Sequence, residues 1–173
     1  MTLRADAQRN LDRLLGAATE CFAEQGVDAS VDEIARRAGV GHGTVFRRFP
    51  TKDALLAAVL AGHMRELATA AEAACAERDA GTAFDRFVRE AADAYARNHA
   101  LIEAMKRCQM TPEVDALVAA VARLLRRAQV AGAVRKNVTA EDVLALVPTA
   151  STYPEIVLDG LRPPAVAPPS HLA

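Results

Sequence analysis

An all-helical protein is predicted from three features of the sequence. Hydrophobic residues make up 51% of the 173 positions, but aromatic residues only 4%. Alanine, leucine, arginine and glutamate, all good helix formers, dominate. Apolar residues recur at three- and four-residue spacing, and β-branched runs suited to strands are missing. Net charge is −1, and it is not segregated: residues 1–60 carry eight basic and eight acidic side chains, residues 61–173 thirteen and fourteen. Bulk charge therefore announces no polyanionic partner. Clustering is more informative. Arg36, Arg37, Arg47, Arg48 and Lys52 are five cations in a stretch with no acid, although a solvated face is an ordinary account of such a run.

Residues 1–8 are expected to be a frayed arm. From Arg9 to Gln25, Leu11, Leu15, Ala18 and Phe22 mark one face of a helix, with Leu14 beside them, and Gly26 ends it. Ser30-Val31-Asp32-Glu33 fits a capping box in which Glu33 reaches back to the Ser30 N–H. A short helix through Ile34, Ala35 and Ala38 then meets Gly39, which can take the positive φ that a sharp turn between crossed helices needs. Val40 is a wedge between them.

A second short helix runs from His42 to Phe49. At about 100° per residue, Val45 and Phe49 point one way, and Gly43, Thr44 and Arg47 point the other, with Phe46 and Arg48 on the flanks. The exposed face is small at its start and cationic further on, which suits a DNA major groove. Pro50 stops the helix, and Thr51 caps the next. Lys52 is a cation in a first helical turn. It is unfavourable there unless a phosphate neutralises it.

At this point the stretch GHGTVFRRFPTKDALL resembles the DNA-binding domain of the TetR family of one-component bacterial regulators, over roughly residues 9–60. The resemblance implies a three-helix, helix-turn-helix head over residues 1–54. It implies a helical effector-binding and dimerisation domain over 55–162; the tail over 163–173, with four prolines in eleven residues, is expected from its composition to be disordered. The DNA-contacting candidates are Arg36, His42, Gly43, Thr44, Phe46, Arg47, Arg48, Thr51 and Lys52. The family usually has Tyr where this chain has Phe46, and the phenol commonly bonds a phosphate. Phe46 can instead pack on a thymine methyl or a sugar. For His42, a base or phosphate contact stands beside a capping or solvent role.

Onward from Thr51 a long helix carries Leu55, Leu56, Val59, Leu60, Met64 and Leu67 and runs to about Ala76, with Gly62 as a place for a bend. Thr82 with Asp85 is expected to cap a helix bearing Phe84, Phe87 and Tyr95. A kink at Asn98-His99 precedes a short helix from Leu101 to Cys108. Thr111-Pro112-Glu113 starts another helix, whose Arg123, Arg126 and Arg127 are expected to be solvated, and Gly132 ends it. Thr139 to Asp142 caps a further helix. Pro148 and Pro154 interrupt the stretch from Leu144 to Leu161, and a last short helix spans Tyr153 to Leu161.

Residues 55–162 resemble the family's effector domain only in helix count and order. Met64, Phe84, Phe87, Tyr95, His99, Ile102, Met105, Met110 and Leu117 are candidates to line a cavity for a small apolar or amphipathic effector. Plain core packing is the competing account of each. His63 and His99 are lone histidines of the kind usually satisfied structurally.

The resemblance implies a homodimer on a palindromic double-stranded operator, a repressor released by its effector. A transcriptional activator with the same head, or a helical adaptor whose basic face binds an acidic protein, are the alternatives. No cofactor or metal site is expected: Cys21, Cys75 and Cys108 are an odd count without ligand spacing. GxSxG, Walker, HExxH and CxxC patterns are missing, so an enzyme is not predicted. With no signal peptide and no apolar run approaching the ~18 residues of a membrane span, the expected location is cytoplasmic, without membrane association.

Overall fold

A computed structural model describes residues 2–105 and 112–164, with side chains described for 6–98 and 112–164. The described elements are helices: α1 Thr2–Gln25, a 3₁₀ turn Gly26–Asp28, α2 Val31–Ala38, α3 His42–Arg48, α4 Lys52–Ala74, α5 Ala80–Met105, α6 Pro112–Val130, α7 Ala140–Ala150 and α8 Pro154–Leu161. By their contacts the described residues fall into two units. One lies within Met1–Glu66 and Tyr95–Asp115, the other within Leu67–Ala94 and Ala116–Ala173.

In the first unit, α1 starts at Thr2 and not at Arg9. Leu3, Arg4, Ala5, Ala7 and Gln8 are good helix formers, and local pairs continue the ladder: Arg9 donates to Asp6, and the Gln8 amide to Asp12 at 2.8 Å. The core of this unit is built by Leu14, Ala18, Cys21 and Phe22 of α1, Ile34, Ala35 and Ala38 of α2, Val45 of α3 and Leu55, Leu56 and Val59 of α4. Leu15, Val40 and Phe49 pack against it, half-buried. Burial in this apolar setting pushes the Cys21 thiol up from its ordinary 9.0.

The N-terminus of α2 differs from a full capping box. The Ser30 hydroxyl accepts from the Asp32 N–H at 3.3 Å. Glu33 does not reach back, because its carboxylate is taken by Arg36 and Arg37. Charge-assisted bonds to two guanidiniums outweigh one bond to a backbone N–H.

Four expectations for the helices that follow are corrected. α5 begins at Ala80, and its cap is Asp79, whose Oδ1 accepts from the Thr82 N–H at 3.0 Å; Asp85 instead meets Arg162 at 3.3 Å. The bonds from Thr82 and Gly81 hold the Asp79 carboxyl below its ordinary 3.8. The helix runs unbroken through Asn98-His99 to Met105, so Leu101 does not open a new one. Arg123 and Arg127 are not merely solvated. Arg123 pairs with Glu72 at 2.7 Å, and the Arg127 guanidinium donates to the backbone carbonyls of Ala74 (3.4 Å), Cys75 and Glu77 (2.8 Å), covering the exit of α4. Finally, α7 passes Pro148 and ends two residues later. Proline forfeits one N–H bond there. Ser151 closes the turn through its N–H to the Val147 carbonyl (3.0 Å) and its Oγ to the Pro148 carbonyl (2.7 Å).

Other expectations hold. Thr139 and Asp142 form a reciprocal capping box on α7, and Pro154 occupies the first turn of α8. Gly132 has φ 74° just past α6. The loop beyond it is pinned by Gln129, whose amide donates to the Arg135 and Val138 carbonyls, both at 2.9 Å. One finding departs from the membrane expectation. By length and composition α4 is apolar enough to cross a bilayer, with mean hydropathy 1.2. Alanine supplies much of that value, and Leu55, Leu56 and Val59 at its start are buried in the first unit's core.

Candidate nucleic-acid interface

Two short helices and one glycine set the geometry. α2 closes with Gly39 in the left-handed region (φ 65°, ψ 33°); the Gly39 N–H bonds the Arg36 carbonyl at 3.2 Å and the Val40 N–H the Ala35 carbonyl at 3.0 Å. Side chains with a Cβ adopt that conformation at a cost, so glycine belongs there. α3 follows after Val40 and Gly41. It is seven residues long and has no side-chain cap, so its rigidity comes from its neighbours. Val45 is fully buried and Phe49, extended at the helix exit, is half-buried. His42, Gly43, Thr44, Phe46, Arg47 and Arg48 are all exposed. The division of faces is the one the sequence predicts.

The glycine at 43 is informative. A Cβ built there meets nothing within 4 Å, and its φ is not positive. Nothing among the described residues requires glycine at this position. A smooth spot on an exposed helix is what a close external surface, such as a base edge, would use.

The five clustered cations separate into two sets. Arg36 forks onto Glu33 (Nε to Oε2 2.8 Å, Nη2 to Oε1 2.7 Å), and Arg37 spans Glu33 and Glu24. These bonds lower the Glu33 carboxyl from 4.5 to about 2. Arg36 is exposed, but its guanidinium is already engaged by an acid. Arg47, Arg48 and Lys52 form no ion pair among the described residues. The uncompensated positive charge on this face therefore lies on α3 and at the first residue of α4, where it attracts an anion.

Thr51 and Lys52 sit at the start of α4. The Thr51 hydroxyl accepts from the Ala54 N–H at 3.1 Å, so it caps as expected and still has an O–H to donate. Lys52 is half-buried in the first turn. His42 donates through Nδ1 to Asp32 on α2, and its ring packs on Phe46 with centroids 4.5 Å apart.

A groove of about 670 Å³ opens between α1 and α3, lined among others by Gln8, Asn10, Leu11, Thr44, Arg47 and Arg48. It adds Gln8 and Asn10 to the face, which the sequence reading left in or beside a frayed arm. The signal for them was present: Ala7, Leu11 and Leu14 continue the four-three spacing one turn earlier.

Comparison with known proteins agrees with this geometry. Residues 14–59 match the model for bacterial regulatory proteins of the tetR family, and residues 79–163 the model for the SbtR-like transcriptional regulator C-terminal domain. A TetR transcription regulatory protein from Mycobacterium vanbaalenii, of known crystal structure, is 38% identical. The match covers 93% of this chain and 99% of that one, with TM-score 0.75. This chain belongs to the TetR family of transcriptional regulators.

The TetR-family assignment makes it a DNA-binding regulator and not an enzyme. The HTH-type transcriptional regulator SrpR of Pseudomonas putida is 45% identical over 64 residues, 36% of this chain and 30% of that protein. The HTH-type transcriptional repressor Rv3405c of Mycobacterium tuberculosis is 56% identical over 48 residues, 27% of this chain and 26% of that protein. The chain thus matches less than a third of either curated relative.

The TetR-family effector candidates are distributed between the two units. Phe84, Phe87 and Leu117 are buried in the second, and Met64 and Tyr95 are half-buried in the first. The side chains of His99, Ile102, Met105 and Met110 lie outside the described residues, as does Cys108 and the tail beyond Pro164. His63, read from sequence as satisfied, is not fully so. Its Nδ1 meets Glu66 Oε2 at 3.3 Å, but Nε2 is buried without a partner among the described residues.

Proposed function

We propose that this TetR-family regulator acts in the cytoplasm as a homodimeric repressor. Each protomer places α3 in the major groove at one half of a palindromic operator, and a small molecule releases it. The observation that carries the reading is the α3 face: Gly43, Thr44, Arg47 and Arg48 exposed, opposite buried Val45, with both arginines without an ion pair among the described residues. Arg47 fits the bidentate reading of a guanine edge, Thr44 a base or phosphate, and Arg48, Thr51 and Lys52 flanking phosphates. Gln8 and Asn10 border the same groove and suit backbone contacts.

Dimerisation is supported by apolar side chains that the second unit leaves in water. Val130 is 85% exposed, Tyr153 56% and Ile156 69%. Burying such residues against a second copy is favourable by roughly 25 cal/mol per Å². Release by a small molecule is supported by the buried Nε2 of His63, unpartnered among the described residues, on the same helix as half-buried Leu60 and Met64. An unmet buried polar atom costs about 1–3 kcal/mol, which a hydrogen-bonding ligand would recover. Repression in place of activation draws on the repressor Rv3405c, whose matched segment is 56% identical.

In vitro selection of bound duplexes, followed by sedimentation of the complex, tests the reading. The expected result is a palindrome with half-sites about one helical turn apart, roughly 34–36 Å, occupied by two protomers. A non-palindromic site bound by one protomer contradicts it.

A further inference from the structure

Asp32 was no DNA candidate: it lies on α2, an acid beside a surface meant for a polyanion. Its side chain nevertheless crosses to the first residue of α3 and accepts from His42 Nδ1. A carboxylate can only accept, so Nδ1 carries the proton. In the neutral ring this leaves Nε2 as a lone-pair acceptor, and Nε2 has no partner among the described residues. Phe46, one turn along α3, packs against the same imidazole at 4.5 Å with the planes 30° apart. The ring is thus held at one edge by a hydrogen bond and on one face by an aromatic. Its side chain remains 58% exposed, next to the open surface of Gly43.

We infer that Asp32 is a positioning residue that fixes the His42 imidazole so that its Nε2 accepts from a base edge. In the major groove the donors are the exocyclic amino groups, N6 of adenine and N4 of cytosine. His42 therefore selects adenine or cytosine on the strand it faces at one position of each half-site, and disfavours guanine and thymine, which present acceptors there. Phe46 replaces a phosphate-bonding role with a buttressing one. The inference rests on α3 lying in the groove, as proposed above.

The test is selection of bound sequences by the full-length protein at pH 8, with wild type, His42→Ala, Asp32→Ala and Asp32→Asn compared by position. Asparagine keeps an oxygen that accepts from Nδ1–H, whereas alanine does not. The expected result is one position per half-site where wild type and Asp32→Asn favour adenine or cytosine by about fivefold, the size of one hydrogen bond. His42→Ala and Asp32→Ala lose that preference while the other positions keep theirs. An unchanged profile in Asp32→Ala, or equal weakening at every position, overturns the inference and leaves Asp32 as a staple between α2 and α3. Failure of wild type to enrich any sequence overturns the groove assignment itself.

Discussion

Arg37 of α2 grips Glu24 of α1 in a two-bond fork, Nη1 to Oε1 at 2.9 Å and Nη2 to Oε2 at 2.7 Å. The same guanidinium reaches Glu33 at 2.9 Å, and Glu33 also holds Arg36. One small network therefore joins α1 to α2, the helix whose closing turn leads into α3.

The network makes stability of the head pH-dependent. Hydrogen bonds from Arg36 and Arg37 lower Glu33 from 4.5 to about 2, and the bond from Arg37 lowers Glu24. A depressed carboxylate stabilises the fold above its unfolded value, and the contribution is lost as pH falls toward the folded one. Wild type should melt higher than Glu33→Gln at pH 7, with the gap closing between pH 4.5 and about 2. Thermal melts of both proteins over that range check this; a gap independent of pH contradicts it.

Arg127 and Arg126 are neighbours with different fates. Arg127 is half-buried over the carbonyls of Ala74, Cys75 and Glu77, whereas Arg126 is exposed. Arg127→Ala is expected to destabilise the protein by about 1–3 kcal/mol, because it strips the part-buried Cys75 and Glu77 carbonyls of this donor, whereas Ala74 keeps the Glu77 N–H. Arg126→Ala is expected to stay within about 0.5 kcal/mol of wild type. Urea unfolding of the two variants measures the difference.

Gly81 marks a close approach. A Cβ there would lie 2.9 Å from the Cβ of Ala133. Gly81→Ala, although it favours a helix, is expected to cost about 1–3 kcal/mol through overpacking. Trimming the neighbour as well, in Gly81→Ala with Ala133→Gly, should recover part of that loss in the same unfolding assay.

Phe46→Tyr restores the phenol the family usually carries. If that hydroxyl reaches a phosphate, affinity should rise by about 1 kcal/mol on operator and random DNA alike, since a phosphate contact carries no sequence information. Competition binding on the two duplexes measures both.

Much of the head was legible in the sequence because local rules settle it. Gly39 must turn, Pro50 must stop α3, Thr51 caps, and the 3.6-residue period separates Val45 from Thr44 and Arg47. What the sequence concealed were choices between competing partners. Glu33 can serve a backbone N–H or two arginines, Arg127 can be solvated or cover carbonyls, and Asp79 competes with Thr82 for the cap of α5. Those outcomes depend on residues more than 50 positions apart, as in Arg127 with Cys75, or on differences of about 1 kcal/mol between bonds. Periodicity carries neither. The arm before Arg9 was misread because its helical face rests on alanine, a weak apolar marker.

The central claim, that α3 reads sequence through Arg47, is tested most directly by titrating wild type and Arg47→Ala against the selected palindrome and a scrambled duplex at one salt concentration. A loss of about 1–3 kcal/mol on the palindrome, with little on the scrambled duplex, is the expected result. An equal loss on both would make Arg47 a phosphate clamp and contradict the claim.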